Sequence, residues 1–225
     1  YPDPDPKHLQ KMTSLLKEKS STVPDLFTIV FFNKDCIFTA LDTGKHMGAS
    51  SSPDWCEAAR AHVDPGPMIK FVPSSKSPSG VGVVAFSRIL RSPDGQFEGA
   101  AVSAMEIGAF QKWLEGITIN PDDAVAILDE SRFLLARHPL VANKIETAVN
   151  VPEVDQLIRT GAPAVTSTRE GVDGKVYVLG FSKAAQFPFY VTYGFNRSSL
   201  LNAWRIHSAE LVASYLAIFL LVLLA

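Results

Sequence analysis

Cysteine and histidine, the residues that most often build metal and redox sites, are scarce in this sequence. Its 225 residues include two cysteines and five histidines, with no CxxC pair and no cluster of the two types. Structural zinc sites need closely spaced pairs of these residues, so the sequence predicts no metal site and no cofactor. No serine- or cysteine-hydrolase signature surrounds any histidine, and no catalytic centre can be identified.

A strong charge of either sign is also absent. The formal net charge is −2, which argues against a nucleic-acid partner and against a polybasic lipid contact. Residues 80–85 match GxGxxA, but a loop precedes them and a predicted strand runs through their second half. The dinucleotide fingerprint needs a strand before it and a helix after it. We therefore expect this region not to be an enzyme.

The two cysteines, Cys36 and Cys56, leave two interpretations open. They are either two free, partly buried thiols or one disulfide, which an oxidising compartment would permit. Cys36 is predicted to begin a central strand, whereas Cys56 lies on a helix within a long excursion. Because a disulfide requires Cα atoms within about 7 Å, we expect the two thiols not to be bonded to each other.

Long apolar runs are absent except at the C-terminal end. Residues 211–225 read LVASYLAIFLLVLLA, without charge, up to the last residue. A spanning helix needs about 20 such residues, so we expect the run to continue beyond this sequence. The alternative is a buried core helix, which would show a polar stripe, and here only Ser214 and Tyr215 are polar. The sequence thus predicts one helix over 198–225 that enters a membrane.

The beginning of this helix carries a pattern typical of helix pairing. Leu201, Trp204, Ser208, Leu211 and Tyr215 follow a 3-4-3-4 spacing, which would form one seam against a partner helix. The alternative is that Leu201 and Trp204 pack on their own domain. On the first interpretation the protein is a homodimer.

Hydrophobic periodicity divides the rest of the chain into two α+β repeats with antiparallel sheets. An N-terminal helix is predicted over 7–19. The first repeat then has strands at 26–32, 36–41, 82–90 and 99–106, with one helix, 54–62, in a Gly/Pro/Ser-rich excursion over 43–79. The second has strands at 124–129, 133–137, 164–169, 175–183 and 189–195, with a helix at 151–160. The predicted domains are 1–119 and 120–197, followed by the linker helix 198–225.

One charged residue lies within a predicted apolar strand. Arg88 belongs to GVVAFSRIL, where alternation places it on one face with Phe86 and Leu90. Burying a guanidinium is costly unless it is paired, and an arginine among apolar neighbours suits the capture of a carboxylate. The alternatives are an internal salt bridge and an exposed strand face. We predict that Arg88 is at least partly buried and lines a cavity.

Two stretches resemble a known family. Residues 86–106, FSRILRSPDGQFEGAAVSAME, resemble the first sensor module of membrane-bound diguanylate cyclases and related kinases. The matching residues are Ser87, Arg88, Leu90, Asp94, Gly95, Phe97 and Gly99. LLARHP over 134–139 and the Asp173-Gly174 hairpin resemble the second module. The resemblance implies two tandem PAS-like modules of the double Cache type. It also implies a periplasmic location and attachment to the bacterial inner membrane through the C-terminal helix.

The resemblance further implies a site for a small extracellular ligand in the membrane-distal first module. Arg88 would be its anion partner, for example for a carboxylate, and Trp55 and Phe86 would form its walls. Asp54 and Ser87 complete the predicted ligand-binding set.

Just before the helix of the first module, the sequence departs from the family pattern. Pro53 replaces the family's usual arginine and Trp55 its tyrosine, which weighs against the usual carboxylate chemistry. The implied function is sensing on behalf of a cytoplasmic diguanylate cyclase. The alternatives are the sensor of a histidine kinase and a dimerisation or spacer module that binds no ligand.

Overall fold

A computed structural model describes residues 6–22, 26–42, 48–64, 66–77, 79–117 and 119–224. The helices are α1 (Pro6–Ser20), α2 (Pro53–Ala61), α3 (Ile107–Glu115), α4 (Pro152–Thr160) and α5 (Arg197–Leu224). The strands of the first half are β1 (Leu26–Asn33), β2 (Phe38–Leu41), β3 (Met68–Val72), β4 (Val83–Arg91) and β5 (Phe97–Glu106). Those of the second half are β6 (Ala124–Asp129), β7 (Leu134–His138), β8 (Ala164–Glu170), β9 (Val176–Lys183) and β10 (Phe189–Asn196).

The chain divides into two compact units, Tyr1–Trp113 and Leu114–Ala225. Each unit contains one five-stranded sheet, with strand orders β2-β1-β5-β4-β3 and β7-β6-β10-β9-β8. All pairings are antiparallel. In both sheets a hairpin comes first, and the last strand of a three-stranded meander then pairs with the first strand of that hairpin. The predicted α+β class with antiparallel sheets is confirmed.

The sequence patterns do not predict β3. Its residues, MIKFV, pair with β4 from Met68↔Ser87 to Val72↔Val83, and they give the first meander its third strand. Met68, Phe71 and Val72 are buried, so the strand has an ordinary apolar character. Prolines on both sides and the Gly/Pro/Ser-rich composition around it made the segment resemble a loop.

A disulfide joins Cys36 to Cys56, so the prediction of two unbonded thiols is wrong. The Cα atoms are 6.0 Å apart, with a sequence separation of 20 residues. Cys36 does not begin a central strand; it lies in the turn before the edge strand β2, with a φ of 60°. The amide of Ser51 donates a hydrogen bond to the Cys36 carbonyl at 2.9 Å. This contact returns the excursion to the turn and brings α2 beside it.

The last helix, α5, begins directly after β10. The Asn196 side-chain oxygen accepts hydrogen bonds from the amides of Ser198 and Ser199 at 2.9 and 3.2 Å, which caps the helix start. The helix is continuous from Arg197 to Leu224, and the apolar side chains described in it, including Trp204 and Tyr215, are exposed. In the part of the chain that the structure describes, no helix is both long and apolar enough to span a bilayer.

Candidate functional site

Of the predicted ligand contacts in the first unit, the structure brings Trp55 and Ser87 together. The indole Nε1 of Trp55 donates a hydrogen bond to Ser87 Oγ at 3.2 Å, and both residues are buried. The Trp55 ring also packs on Phe32, with 4.6 Å between ring centroids. Trp55 therefore fills the space between α2 and the sheet as a core residue.

Arg88 and Phe86 point to the opposite face from Ser87, because side chains alternate along β4. Arg88 is exposed and Phe86 half-buried, so the prediction that Arg88 is at least partly buried is wrong. On the face of β4 that carries Arg88, exposure increases along the strand from buried Val84 through half-buried Phe86 to exposed Arg88. The role of Arg88 in ligand binding stays a prediction.

Asp54 lies at the exposed start of α2 and forms an ion pair with Lys76. The hydrogen bond from Lys76 and its charge hold the pKa of Asp54 below its ordinary value. Lys70 Nζ donates to the backbone carbonyl of Asp54 at 3.0 Å. These contacts tie α2 to the segment around β3, which is a structural role for Asp54.

A surface depression of about 480 Å³ lies elsewhere in the first unit. Its lining residues are Lys34, Asp35, Arg60, Arg91, Gln96 and Phe97. Arg91 donates to the backbone carbonyls of Arg60, His62 and Gly95 at 2.8, 2.6 and 2.9 Å. Its guanidinium thus links the C-terminal end of α2 to the turn between β4 and β5. None of the predicted ligand contacts lines this depression.

The second unit contains a cavity of about 310 Å³ over one face of its sheet. The cavity is bounded by the sheet, by the segment 144–151 and by the β8–β9 hairpin. Its apolar lining comes mainly from Ala124, Ala126, Leu128, Leu134, Leu179 and Phe181. A mainly apolar cavity with a few polar groups is the usual form of a small-molecule site.

Arg137 is the most deeply buried charged residue that lines this cavity. Its side chain is 5% exposed and donates from Nη2 to Asp173 Oδ2 at 2.7 Å. It also contacts the Pro139 carbonyl and, at 3.5 Å, the hydroxyl of Tyr177. Tyr177 in turn donates to Asp173 Oδ2 at 2.8 Å. The sequence signal for this cluster was an arginine in the apolar strand FLLAR, the same signal that singled out Arg88.

Within this cluster the pKa values of Asp173 and Tyr177 are shifted. Burial alone would raise the pKa of Asp173, but the hydrogen bond from Tyr177 and the charge of Arg137 lower it overall. Burial and the hydrogen bond to Asp173 raise the pKa of Tyr177 to about 12. At neutral pH the cluster is therefore an ion pair beside a neutral phenol. Throughout the described ranges, no three potential metal ligands lie together.

Comparisons with known proteins identify the fold. No family model matches the sequence, and no curated protein is similar to it. Solved structures are similar. The extracellular domain of rpHK1S-Z16, described as a histidine kinase, has a TM-score of 0.67 at 21% identity over 90% of this chain and 82% of that one.

Two further similar structures are receptor domains from named bacteria. The sensor domain of the V. cholerae histidine kinase DctB has a TM-score of 0.57 at 10% identity, over 85% of this chain and 80% of that one. The ligand-binding domain of the Pseudomonas fluorescens chemoreceptor CtaA, solved with L-isoleucine, has a TM-score of 0.58 at 13% identity, over 85% and 77%. The chain therefore has the fold of Cache-like extracellular sensor domains, as the sequence motifs implied.

Proposed function

We propose that this chain is the extracytoplasmic, small-molecule-sensing region of a bacterial membrane signalling protein. The observation that carries the proposal is the sheet order repeated in both units, within a fold shared with sensor domains over most of the chain. CtaA was solved with L-isoleucine, which supports a small organic ligand here. On this proposal each unit is one PAS-like module, with the first module distal to the membrane.

The disulfide supports a location outside the cytoplasm. Disulfides persist in oxidising compartments and are rare in the reducing cytosol. The Cys36–Cys56 bond closes within the core of the first unit, where both residues are buried. A periplasmic position on the inner membrane agrees with this chemistry.

The exposed apolar side chains of α5 support attachment to a membrane. Leu211, Leu216, Phe219 and Val222 are each more than half exposed, and water is a poor solvent for so large an apolar surface. At about 1.5 Å per residue, the apolar run over 211–224 is roughly 21 Å long. We propose that this end of the helix enters the bilayer and that the helix pairs with its copy in a homodimer.

The identity of the cytoplasmic domain that receives the signal is a proposal as well. The sequence motifs favour a cytoplasmic diguanylate cyclase. The alternative, a histidine kinase, gains support from two of the similar structures, which are sensor domains of proteins described as histidine kinases.

The ligand site in the first unit is proposed on the predicted residues. Phe86 and Arg88 share one face of the sheet and would contact the ligand together, whereas Trp55, Ser87 and Asp54 belong to the side of α2 and would support the sheet from behind. Because Arg88 is exposed, its contribution to an anionic ligand would be that of a rim charge, which changes the association rate more than the affinity.

Retention of ligands by the purified chain tests the proposal. The chain would be dialysed against a mixture of bacterial metabolites, and the retained compounds would be released and identified by mass spectrometry. The sensor proposal expects one compound or a small group of related compounds at about one per binding site. A spacer module that binds nothing would retain no compound above a heat-denatured control.

A further inference from the structure

The residue before the start of α5 is held by a buried carboxylate from the segment that leads into β6. Asp123 is 4% exposed, and its side chain accepts three hydrogen bonds. The donors are Asn120 Nδ2 at 3.1 Å, the Tyr193 hydroxyl at 3.0 Å and the Asn196 amide at 3.0 Å. Burying a carboxylate is costly unless donors compensate it. These three contacts therefore fix Asp123 in one place.

The Asp123 carboxylate extends the attachment of β10 to β6 beyond their last residue pair. The pairing of these two strands ends at Gly194↔Ala124. Asp123 comes directly before Ala124, and Asn196, whose amide it binds, lies two residues after Gly194. The end of β10 thus stays attached to the segment before β6 where the pairing of the two strands stops.

The neighbouring aspartate holds the first turn of α5 through a second contact. Ser199 Oγ donates to Asp122 Oδ2 at 2.7 Å. Asn196, bound through its amide by Asp123, accepts hydrogen bonds at its side chain from the amides of Ser198 and Ser199. The two aspartates therefore hold the helix start both directly, through Ser199, and indirectly, through the capping residue Asn196.

These contacts join the segment by which the chain enters the second unit to the helix by which it leaves the sheet. The unit begins at Leu114, and residues 119–123, called here the entry segment, lead into β6. The helix α5 follows β10, the last strand. Strands β7, β8 and β9 lie between the two in sequence, but none of them contributes a side chain to the contacts of Asp122 and Asp123 within the described residues.

We propose that Asp122 and Asp123 form a polar latch, through which the entry segment and the start of α5 move as one piece. The latch deepens the proposed function. In a sensor whose ligand binds in the first unit, a displacement of the entry segment would reach α5 directly through the two aspartates. Only this signalling role rests on the proposed function. The latch itself is measured without a ligand, so the failure of one can be told from the failure of the other.

Amide hydrogen exchange tests the latch in the purified full chain, held in detergent and analysed by mass spectrometry. The two peptides to follow cover 119–125 and 198–204. Ser199→Ala removes the donor on the helix, and Asp122→Ala removes the acceptor on the entry segment. Because coupling between two sites is reciprocal, each change should speed exchange in both peptides. We expect roughly tenfold or more, as for a hydrogen bond to a charged group. The double variant should be no faster than the faster single one.

Ser198→Ala is the matched control for the helix side of the latch. It makes the same change one residue earlier, on an exposed side chain, and should leave both peptides unchanged. The peptide over β8, at the far edge of the sheet, should exchange as in the parent chain in every variant. The proposal is overturned if Ser199→Ala leaves the entry peptide unchanged, if Ser198→Ala has the same effect as Ser199→Ala, or if β8 speeds up to the same extent.

A further variant tests the buried half of the latch. Asp123→Asn keeps the shape of the side chain and removes its charge, so it should also speed exchange in both peptides. Unchanged exchange in this variant would exclude Asp123 from the latch and overturn the proposal. If Asp123→Asn does not fold, the contact of exposed Asp122 with half-buried Ser199 decides the outcome alone.

Discussion

At the scale of single residues, the ion pair of Arg137 and Asp173 should matter most for stability. Asp173→Ala leaves a guanidinium buried without its carboxylate, so we expect the free energy of unfolding to fall by about 3 kcal/mol. Asp155→Ala is the matched control, since Asp155 pairs with Arg132 at the surface, with both side chains more than 40% exposed. That change should cost under about 1 kcal/mol. Urea denaturation of both variants measures the difference, and equal losses would contradict the account.

Tyr177 should make the stability of the fold depend on pH in the alkaline range, and Asp173 should do so in the acid range. The folded-state pKa of Tyr177 is raised to about 12, above its unfolded value of about 10. The contribution of Tyr177 to the free energy of unfolding is therefore complete below about pH 10, and it is lost as pH rises from about 10 to 12. The pKa of Asp173 is lowered, so its contribution is present above about pH 4 and lost as pH falls below that value.

Two conservative variants separate these two effects. The measurement is the midpoint of urea unfolding as a function of pH. Tyr177→Phe should reduce the loss of stability at alkaline pH, and Asp173→Asn should reduce the loss at acid pH. An alkaline loss that persists unchanged in Tyr177→Phe would show that another group titrates there.

The Cys36–Cys56 disulfide should stabilise the first unit. For a loop of about 20 residues, the chain-entropy estimate is about 3 kcal/mol. Reduction, or the double change Cys36→Ala with Cys56→Ala, should lower the midpoint of unfolding accordingly. Thiol labelling of the denatured, unreduced chain should find no free thiol. Labelling of both cysteines under those conditions would contradict the bond.

Residue-scale features were the hardest to predict from the sequence. The argument that an arginine in an apolar strand is buried and paired was sound, and it holds for Arg137. The expectation of burial failed for Arg88, which is exposed, because alternation along a strand does not tell where the covering of that face of the sheet ends. The cysteine prediction failed for a similar reason, since the return of the excursion to Cys36 depends on backbone contacts between residues 48–51 and residues 36–38 that the sequence does not show.

At the scale of elements, α5 is the proposed connection from the second unit to a partner helix. The alternative was that Leu201 and Trp204 both pack on their own unit. Trp204 is 66% exposed and Leu201 is 37% exposed, so this alternative does not hold for Trp204. On the proposed homodimer, Trp204→Ala should weaken self-association roughly tenfold. Ile206→Ala is the matched control, because Ile206 is 62% exposed and lies off the seam. Sedimentation in detergent compares them, and equal effects of the two changes would contradict the seam.

Most elements could be predicted because their periodicity is strong. The strand β6 and the helix α4 with its left-handed Gly161 match the predicted ranges closely. The strand β3 was missed since its five residues lie between prolines, where composition outweighs a short apolar pattern. Its pairing with β4 is a tertiary contact, and tertiary contacts decide such short segments.

At the scale of the whole molecule, the order of motifs along the chain was sufficient to predict the α+β class with antiparallel sheets. The position of the open cavity could not be predicted in this way. It depends on how the side chains fill each unit: Trp55 fills the space above the first sheet, whereas alanines 124 and 126 leave space above the second. Such packing is set by residues distant in sequence.

The central claim is that this chain binds a small molecule, and thermal unfolding against a metabolite library tests it most directly. A ligand that binds only the folded state at 100 times its dissociation constant stabilises it by about 2.7 kcal/mol, which for a chain of this size corresponds to a rise of several degrees. We predict that at least one compound, or a family of related compounds, raises the midpoint in a saturable way. A folded chain whose midpoint no compound in a broad library raises, at millimolar concentrations, would contradict the account.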